Sequence, residues 1–469
     1  MSGRYDALVI GGGVGGLTAV SLLAKAGLRT LLLERSAILY DDTGEAALSA
    51  LDPLVVKELK LARRGLKFAV RDLGLAALRA GAPPAVLTRD RHATARSLGA
   101  LSQADAVAYA QYRREMLTLA RALRPTWWDG RPGEETLAAL KPAQRALIER
   151  LSVTSALAFL SGWFESEALR AALAFAAVEA GAPPSEPGSA LALVWSAAQE
   201  MNGRQGAVAV PRGGLGGLLH ALGEAAQTSG AEIRTAATTA RLALVNGAVA
   251  GAELAAGETI EAPLVLSALS RRRTLRDLLP PAAIGLGAAV ALARPDPDFG
   301  SATLVFTLSR APELPAPADK RLSIAERPEI YDAALSAMRL GRAAPEPAME
   351  LVAPPPDATA PRTTLVARVW PVAASYDRDG LVRTITAMIE RHVPGFAATV
   401  TNTDVVEPQI TVPATVDRLL AGAAARIETP VAGLLLCGAD AEPANAISGR
   451  AARQAVRLAL ARHRASAHA

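Results

Sequence analysis

Residues 7–34 constrain this chain more than any other stretch. Ala7-Leu8-Val9-Ile10 is an apolar run with the length of a strand buried on both faces of a parallel sheet. It enters Gly11-Gly12-Gly13-Val14-Gly15-Gly16, and an apolar pattern of helical period follows through Leu17, Val20, Leu23 and Ala24. Gly27 is placed to stop that helix, and Thr30-Leu31-Leu32-Leu33 then reads as a second strand closed by Glu34. A strand, glycine turn, helix and strand ending in an acid is the pattern of a dinucleotide-binding unit, whereas a glycine-rich turn alone would need none of its flanks. Gly11 permits the tight turn, Gly13 lets the backbone approach a pyrophosphate, and Gly16 lets helix and strand pack closely. The helix start, with Val14 and Gly15 in its first turn, presents N–H groups and positive dipole to phosphate. Glu34, 23 residues beyond Gly11, can accept hydrogen bonds from ribose hydroxyls.

The rest of the chain supplies a frame for this unit. Its 469 residues leave room for two or three domains and a large core. Apolar residues make up 51% and aromatic ones only 4%, so helices packed closely on alanine are expected. From 101 to 180 the pattern is mostly helical, and Gly181-Ala182-Pro183-Pro184 through Gly188 marks a connection. Trp127-Trp128 and Trp163-Phe164 read as core packing, with a ligand wall as the other option. A second unit starts at Val208-Ala209-Val210 and continues into a helix through Leu218, Leu219 and Leu222, which Gly230 ends. Runs 241–245 and 248–254 flank Asn246-Gly247, a strong hairpin signal, and Leu264-Val265-Leu266-Ser267 reads as a buried strand returning to the main sheet. Strand-like runs at 303–308 and 365–370 and a helix at 379–392 follow, among proline-rich loops. Near the end, Leu434-Leu435-Leu436-Cys437 is an apolar strand meeting Gly438-Ala439-Asp440, and Ser448-Gly449 opens a last helix.

Several classes are excluded or disfavoured. Fifty basic residues against 45 acidic ones give a formal charge of +5 without a basic stripe interleaved with aromatics, so no nucleic-acid partner is expected. The one cluster, Arg271-Arg272-Arg273, reads as a solvated turn or helix start. Cys437 stands alone, which leaves no disulfide or cysteine cage and fits a small core residue better than a nucleophile. The five histidines lie far apart, so no metal is expected. No secretory signal and no membrane-spanning run is read, which points to a cytoplasmic protein.

Three blocks, at 5–35, 210–233 and 434–456, together resemble the phytoene-desaturase-like branch of the FAD-dependent amine-oxidase-type flavoproteins. The resemblance implies an α/β fold: a non-contiguous Rossmann-like FAD-binding domain, a helical segment and a mixed-sheet substrate domain. The expected division is 1–60, 200–280 and 425–469 for the FAD-binding parts, 61–199 for the helical segment and 281–424 for the substrate domain. Carried over onto this chain, Gly11, Gly13, Gly16 and Glu34 would hold the ADP half, Arg35 would flank the adenosine, and Thr239 would offer backbone bonds to adenine. Gly438 and Asp440 would meet the ribityl and pyrophosphate region, and the Ile447-Ser448 backbone would face the flavin pyrimidine ring. Two departures stand out. The family has a small-residue loop with a Gly-Gly pair where this chain reads Ser36-Ala37-Ile38-Leu39-Tyr40-Asp41-Asp42-Thr43-Gly44, and a glycine run where it reads Glu442-Pro443-Ala444-Asn445-Ala446. Side chains in the second segment are expected to narrow the approach to the isoalloxazine.

The implied activity is FAD-dependent oxidation, desaturase or dehydrogenase in type, on an apolar isoprenoid- or lipid-like substrate. Peripheral membrane association or a protein partner fits the same resemblance. No catalytic side chain is singled out, because the cofactor would carry the chemistry. The departures support a second reading, a relative that keeps the fold and acts as a binding or assembly partner without turnover. A nicotinamide-only dehydrogenase explains the first 35 residues but leaves the block at 438–440 without a role.

Overall fold

The structure is a computed structural model that describes residues 4–39, 44, 46–293, 299–355, 363–409 and 414–467. Its first strand, β1 (Ala7–Ile10), its first helix, α1 (Val14–Lys25), and its second strand, β2 (Thr30–Leu33), follow the glycine-turn pattern read from the sequence. A five-stranded sheet forms around them, in the order Leu434–Leu436, Val265–Ser267, β1, β2, Glu232–Arg234, with every neighbouring pair parallel. Burial on both faces explains the unbroken apolar runs. Ala7 and Val9 pack toward α1 and helices Gly214–Thr228 and Arg450–Ala467, while Leu8 and Ile10 pack toward Leu242, Val249 and Ala252 of the hairpin layer.

That layer is a three-stranded antiparallel sheet of Thr239–Val245, Ala248–Leu254 and Thr259–Glu261. Asn246 and Gly247 sit at φ 52° and 77°, the two positive values a two-residue hairpin turn requires.

The third layer is a seven-stranded mixed sheet in the order Val400–Gln409, Phe299–Leu308, Thr363–Ala373, Ala348–Val352, Lys320–Ile324, Gly74–Arg79, Ala82–Leu87. The last two strands come from the stretch expected to be helical. Leu75, Ala77, Ala85 and Leu87 bury against the helices, and a continuous alanine-rich apolar run at 75–78 followed by Pro83-Pro84, without a period of two, hid them. Beyond them, helices Gln103–Ala122, Glu167–Glu179 and Ser189–Ala198 pack on small side chains, among them Ala171, Ala172, Ala174, Ala190 and Ala192. Trp127 is fully buried edge-on to Trp195 at 5.3 Å and donates from Nε1 to the Leu419 carbonyl at 2.7 Å, a core role. No helix among the described residues is long and apolar enough to cross a membrane.

Candidate cofactor cradle and adjoining cavity

The glycines divide by task. Gly11 has φ +98°, and a Cβ on Gly16 would lie 1.8 Å from the Gly11 carbonyl oxygen, so α1 starts in direct contact with the turn. A Cβ on Gly15 would lie 2.3 Å from the Cys437 carbonyl oxygen, and one on Gly438 would lie 2.2 Å from that of Ala268. These contacts draw the ends of three strands against one helix N-terminus. Gly13 differs: nothing lies within 4 Å of where its Cβ would be. It caps α1 without a side-chain hydrogen bond, and the first turn carries no acid. Val14 is buried behind it. An uncapped helix start facing open space is an anion site in form.

Glu34 stands at the edge of this space. Its Oε2 accepts from the Gly12 N–H at 2.6 Å and its Oε1 from the Ser36 N–H at 2.8 Å, so the carboxylate is oriented by backbone and keeps lone pairs for further donors. Arg35 beside it is exposed. The Ala237 N–H donates to the Glu34 carbonyl at 2.8 Å, which brings Thr239 to the same side. The Thr239 hydroxyl is buried without a partner among the described residues.

On the other side, Asp440 has two internal partners. Its Oδ2 accepts from the Arg271 N–H at 2.5 Å, and its Oδ1 is 3.3 Å from Arg418 Nη2. Arg271 also donates to the carbonyls of Arg426 and Glu428 at 2.7 and 3.2 Å. The arginine run is therefore a helix start, as read, whose first residue clamps a neighbouring chain end instead of facing water. Ser448 carbonyl accepts from the Asp52 N–H at 2.9 Å, and Gly449, at φ +70°, lies against Thr18 of α1. Ile447 packs into the core under α1. The two helix starts, at Gly13 and at Ser448, so converge on one region.

The segment 442–446 departs from expectation. Glu442 is buried and turned inward, where its Oε1 accepts from the Ser448 hydroxyl and from the Ala451 N–H at 3.0 Å, capping the last helix. Ala444 and Ala446 join the core of the helical layer. Asn445 alone of these lines a cavity, held by its Nδ2 to the Glu179 carbonyl at 3.2 Å and by its N–H to that of Ala180 at 3.1 Å. In the first departure, Tyr40, Asp41, Asp42 and Thr43 lie outside the described residues. Gly44 is buried against Thr303, Val305 and Val406 of the mixed sheet.

The cavity measures about 420 Å³ and lies between the helical layer, strands Gly74–Arg79 and Ala82–Leu87, and Asn445. Tyr109, Tyr112 and Met116 line it from one helix face, a spacing of three and four that was legible as a stripe but not as a wall. Arg321 lies at its edge, donating to Glu350 at 2.8 Å and Glu179 at 3.3 Å. Burial pushes the Glu350 carboxyl up to about 7, against the opposing pull of Arg321. Below the last helix, Arg450 is fully buried 4.0 Å over the Trp128 ring, with no hydrogen-bond partner for its three nitrogens among the described residues, and Glu442 is its nearest anion at 3.9 Å. Sequence reasoning missed this cluster, because Trp128 lies far from Arg450 along the chain and the direction in which Glu442 points is set by packing. Cys437 is buried, and its thiol is pushed well up by desolvation, which leaves it a core residue. Among the described residues no three His, Cys, Asp or Glu side chains group so as to hold a metal ion.

Comparison with known proteins bears on the fold. No family model matches the chain. It is 31% identical over 325 residues to the mouse pyridine nucleotide-disulfide oxidoreductase domain-containing protein 2, covering 59% of this chain. The chain spans 55% of the length of that relative. Among solved structures it superimposes on putrescine oxidase bound to putrescine with a TM-score of 0.63 at 16% identity, over 98% of this chain and 99% of the other. Cyclohexylamine oxidase from Brevibacterium oxydans gives 0.57 at 15% identity over 97% and 98%. The mixed α/β fold is shared with these oxidases.

Proposed function

We propose that this chain binds FAD in an extended form and works as an oxidoreductase of desaturase or dehydrogenase type on a largely apolar substrate. The observation that carries the reading is the open, uncapped start of α1 at Gly13, bounded by Glu34 on one side and the Ser448 helix start on the other. The donor set fits a dinucleotide: backbone N–H groups of Gly13–Gly16 for the pyrophosphate, the Glu34 carboxylate for ribose hydroxyls, and the unpartnered Thr239 hydroxyl and its backbone on the adenine side. The relative and the oxidases named above support an oxidoreductase, and the blocks quoted from the sequence support FAD as the dinucleotide.

Bound FAD would supply a two-electron acceptor for the hydride equivalent lost, together with a proton, from two adjacent carbons as a C–C bond becomes C=C. The protein's own contribution is binding and orientation. The start of the helix Arg450–Ala467 is already capped by the Glu442 carboxylate, so what the protein offers near Ile447-Ser448 is backbone held in position. The cavity beside Asn445 would seat the substrate between Leu87, Met116, Leu173 and Trp195.

The test is a melting series on the purified chain with FAD and with ADP. A ligand that binds only the folded state stabilises it by roughly 2.7 kcal/mol at a hundredfold excess over its dissociation constant. FAD is expected to raise Tm more than ADP does, and to be partly lost on desalting because the flavin half lacks the family's glycines. A colourless protein with no shift at millimolar FAD sinks the reading. Equal shifts with FAD and ADP favour the alternative, a binding or assembly partner without turnover. The placement of Asn445, bonded to residues 179 and 180 where the family carries glycine, is the observation behind that alternative.

A further inference from the structure

The charge on the cavity wall is uneven, and it has a consequence for the substrate if the cavity is the substrate site proposed above. Five basic side chains line it, Arg89, Arg113, Arg204, Lys320 and Arg321, against three acidic ones, Asp72, Glu179 and Asp319. All three acids are already engaged. Asp72 pairs with Arg89 and lies 3.8 Å from Arg204, Asp319 is 2.5 Å from Lys320, and Glu179 is 3.3 Å from Arg321. Arg113 has no carboxylate within ion-pair distance among the described residues; its one hydrogen bond is from Nη1 to the Thr88 carbonyl at 3.2 Å. One turn earlier on the same helix, Tyr109 reaches the cavity with a hydroxyl that has no hydrogen-bond partner among the described residues. Arg113 and Arg321 both bear electrostatically on that hydroxyl. An unneutralised guanidinium beside a free phenol O–H, in a cavity that also presents Leu87, Met116, Leu173 and Trp195, is a recognition site for a carboxylate.

We propose that the cavity takes an amphipathic carboxylic acid, its apolar body along Leu87, Met116, Leu173 and Trp195 and its carboxylate on Arg113 and Tyr109. The arrangement also excludes an amine. With every lining acid paired, and Arg321 also held by Glu350, an ammonium group finds no free anion and meets the unpaired Arg113, so this chain departs from the putrescine and cyclohexylamine oxidases whose fold it shares. The apolar substrate of the proposed function thereby gains an anionic head.

The experiment is calorimetric titration of the purified chain with decanoate, decanol and decylamine, which share a chain and differ in the head. Decanoate should bind about tenfold or more tightly than decanol, as loss of one charged hydrogen bond implies, and decylamine more weakly than either. Arg113→Gln should abolish the preference for decanoate over decanol, and Tyr109→Phe should reduce it several-fold; added salt should weaken decanoate alone. Equal affinity for decanoate and decanol, tighter binding of decylamine, or an undiminished preference in Arg113→Gln and Tyr109→Phe proteins that melt like the parent overturns the proposal. The titration needs no flavin. An FAD-induced melting shift without carboxylate preference defeats only this inference, and carboxylate preference without the shift defeats only the cofactor reading.

Discussion

Two glycines of one turn should separate stability from binding. A Cβ on Gly16 has no room against the Gly11 carbonyl, so Gly16→Ala should cost about 1–3 kcal/mol or more through overpacking, read as a lowered Tm without ligand. Gly13 faces open space with φ −72°, so Gly13→Val should melt like the parent yet lose the FAD-induced shift. If the Gly13→Val protein keeps the shift, the space in front of α1 is not the phosphate site. Glu34→Ala should weaken FAD about ten- to a hundredfold, a loss of about 1.5–3 kcal/mol for a charged hydrogen-bond partner, measurable by flavin fluorescence. Glu350 carries a pH signature. Its carboxyl is raised in the folded state, mainly by burial, so the folded chain holds that proton more tightly than the unfolded one. The stability this gives is fully present below the unfolded value near 4.5 and is lost as pH rises through about 7. Glu350→Gln, which cannot ionise, should therefore gain on the parent by on the order of 1–3 kcal/mol between pH 5 and pH 8, compared by denaturant melts. A gap that stays constant or shrinks over that range would show that Arg321 holds Glu350 ionised throughout.

Among the elements, the last helix depends on a buried acid. Glu442 caps its start through the Ser448 hydroxyl and the Ala451 N–H and is the nearest anion to the sealed Arg450. Glu442→Ala removes the cap and leaves a buried guanidinium unpaired, a change that typically costs about 3–5 kcal/mol. Glu442→Gln can still accept from the same donors and should recover part of the loss. Urea unfolding of the two variants decides it, and equal losses would mean that shape, not acceptance, is what the position needs. The same helix is tied to residue 52 across 401 positions of chain, since Arg453 Nε donates to Asp52 Oδ2 at 2.8 Å with both side chains nearly sealed. The hairpin at Asn246-Gly247 needs no such partner. Its two positive φ values are a local demand that two local residues meet.

The whole molecule places its first and last segments in one sheet. Leu434–Leu436 is an edge strand beside Val265–Ser267, and the helix after it packs on α1. Ending the chain at residue 430 should therefore abolish a cooperative melting transition followed by circular dichroism, because one face of α1 and one edge of the sheet would lose their cover together. A truncated chain that still melts sharply would mean that residues 4–430 fold without the last strand. The glycine turn, the short apolar strands around it and the hairpin were legible in the sequence because each rests on contacts within a few residues: period, positive φ, a helix start. Two strands at 74–87 were not: they fall in the stretch read as helical, where an alanine-rich apolar run shows no period of two until the mixed sheet supplies partners. The inward turn of Glu442 was not legible for a related reason. Whether Glu442 faces a ligand or the core depends on Ser448 and the N–H of residue 451, and composition alone carries no direction. What the amino-acid order determined by itself was the dinucleotide-type sheet with its open helix start. What only the tertiary structure decided was the cavity and its charge, because Tyr109 and Arg113 on one helix meet Trp195, Arg321 and Asn445 from three other stretches of chain, and which acid neutralises which base is settled by packing over long distances.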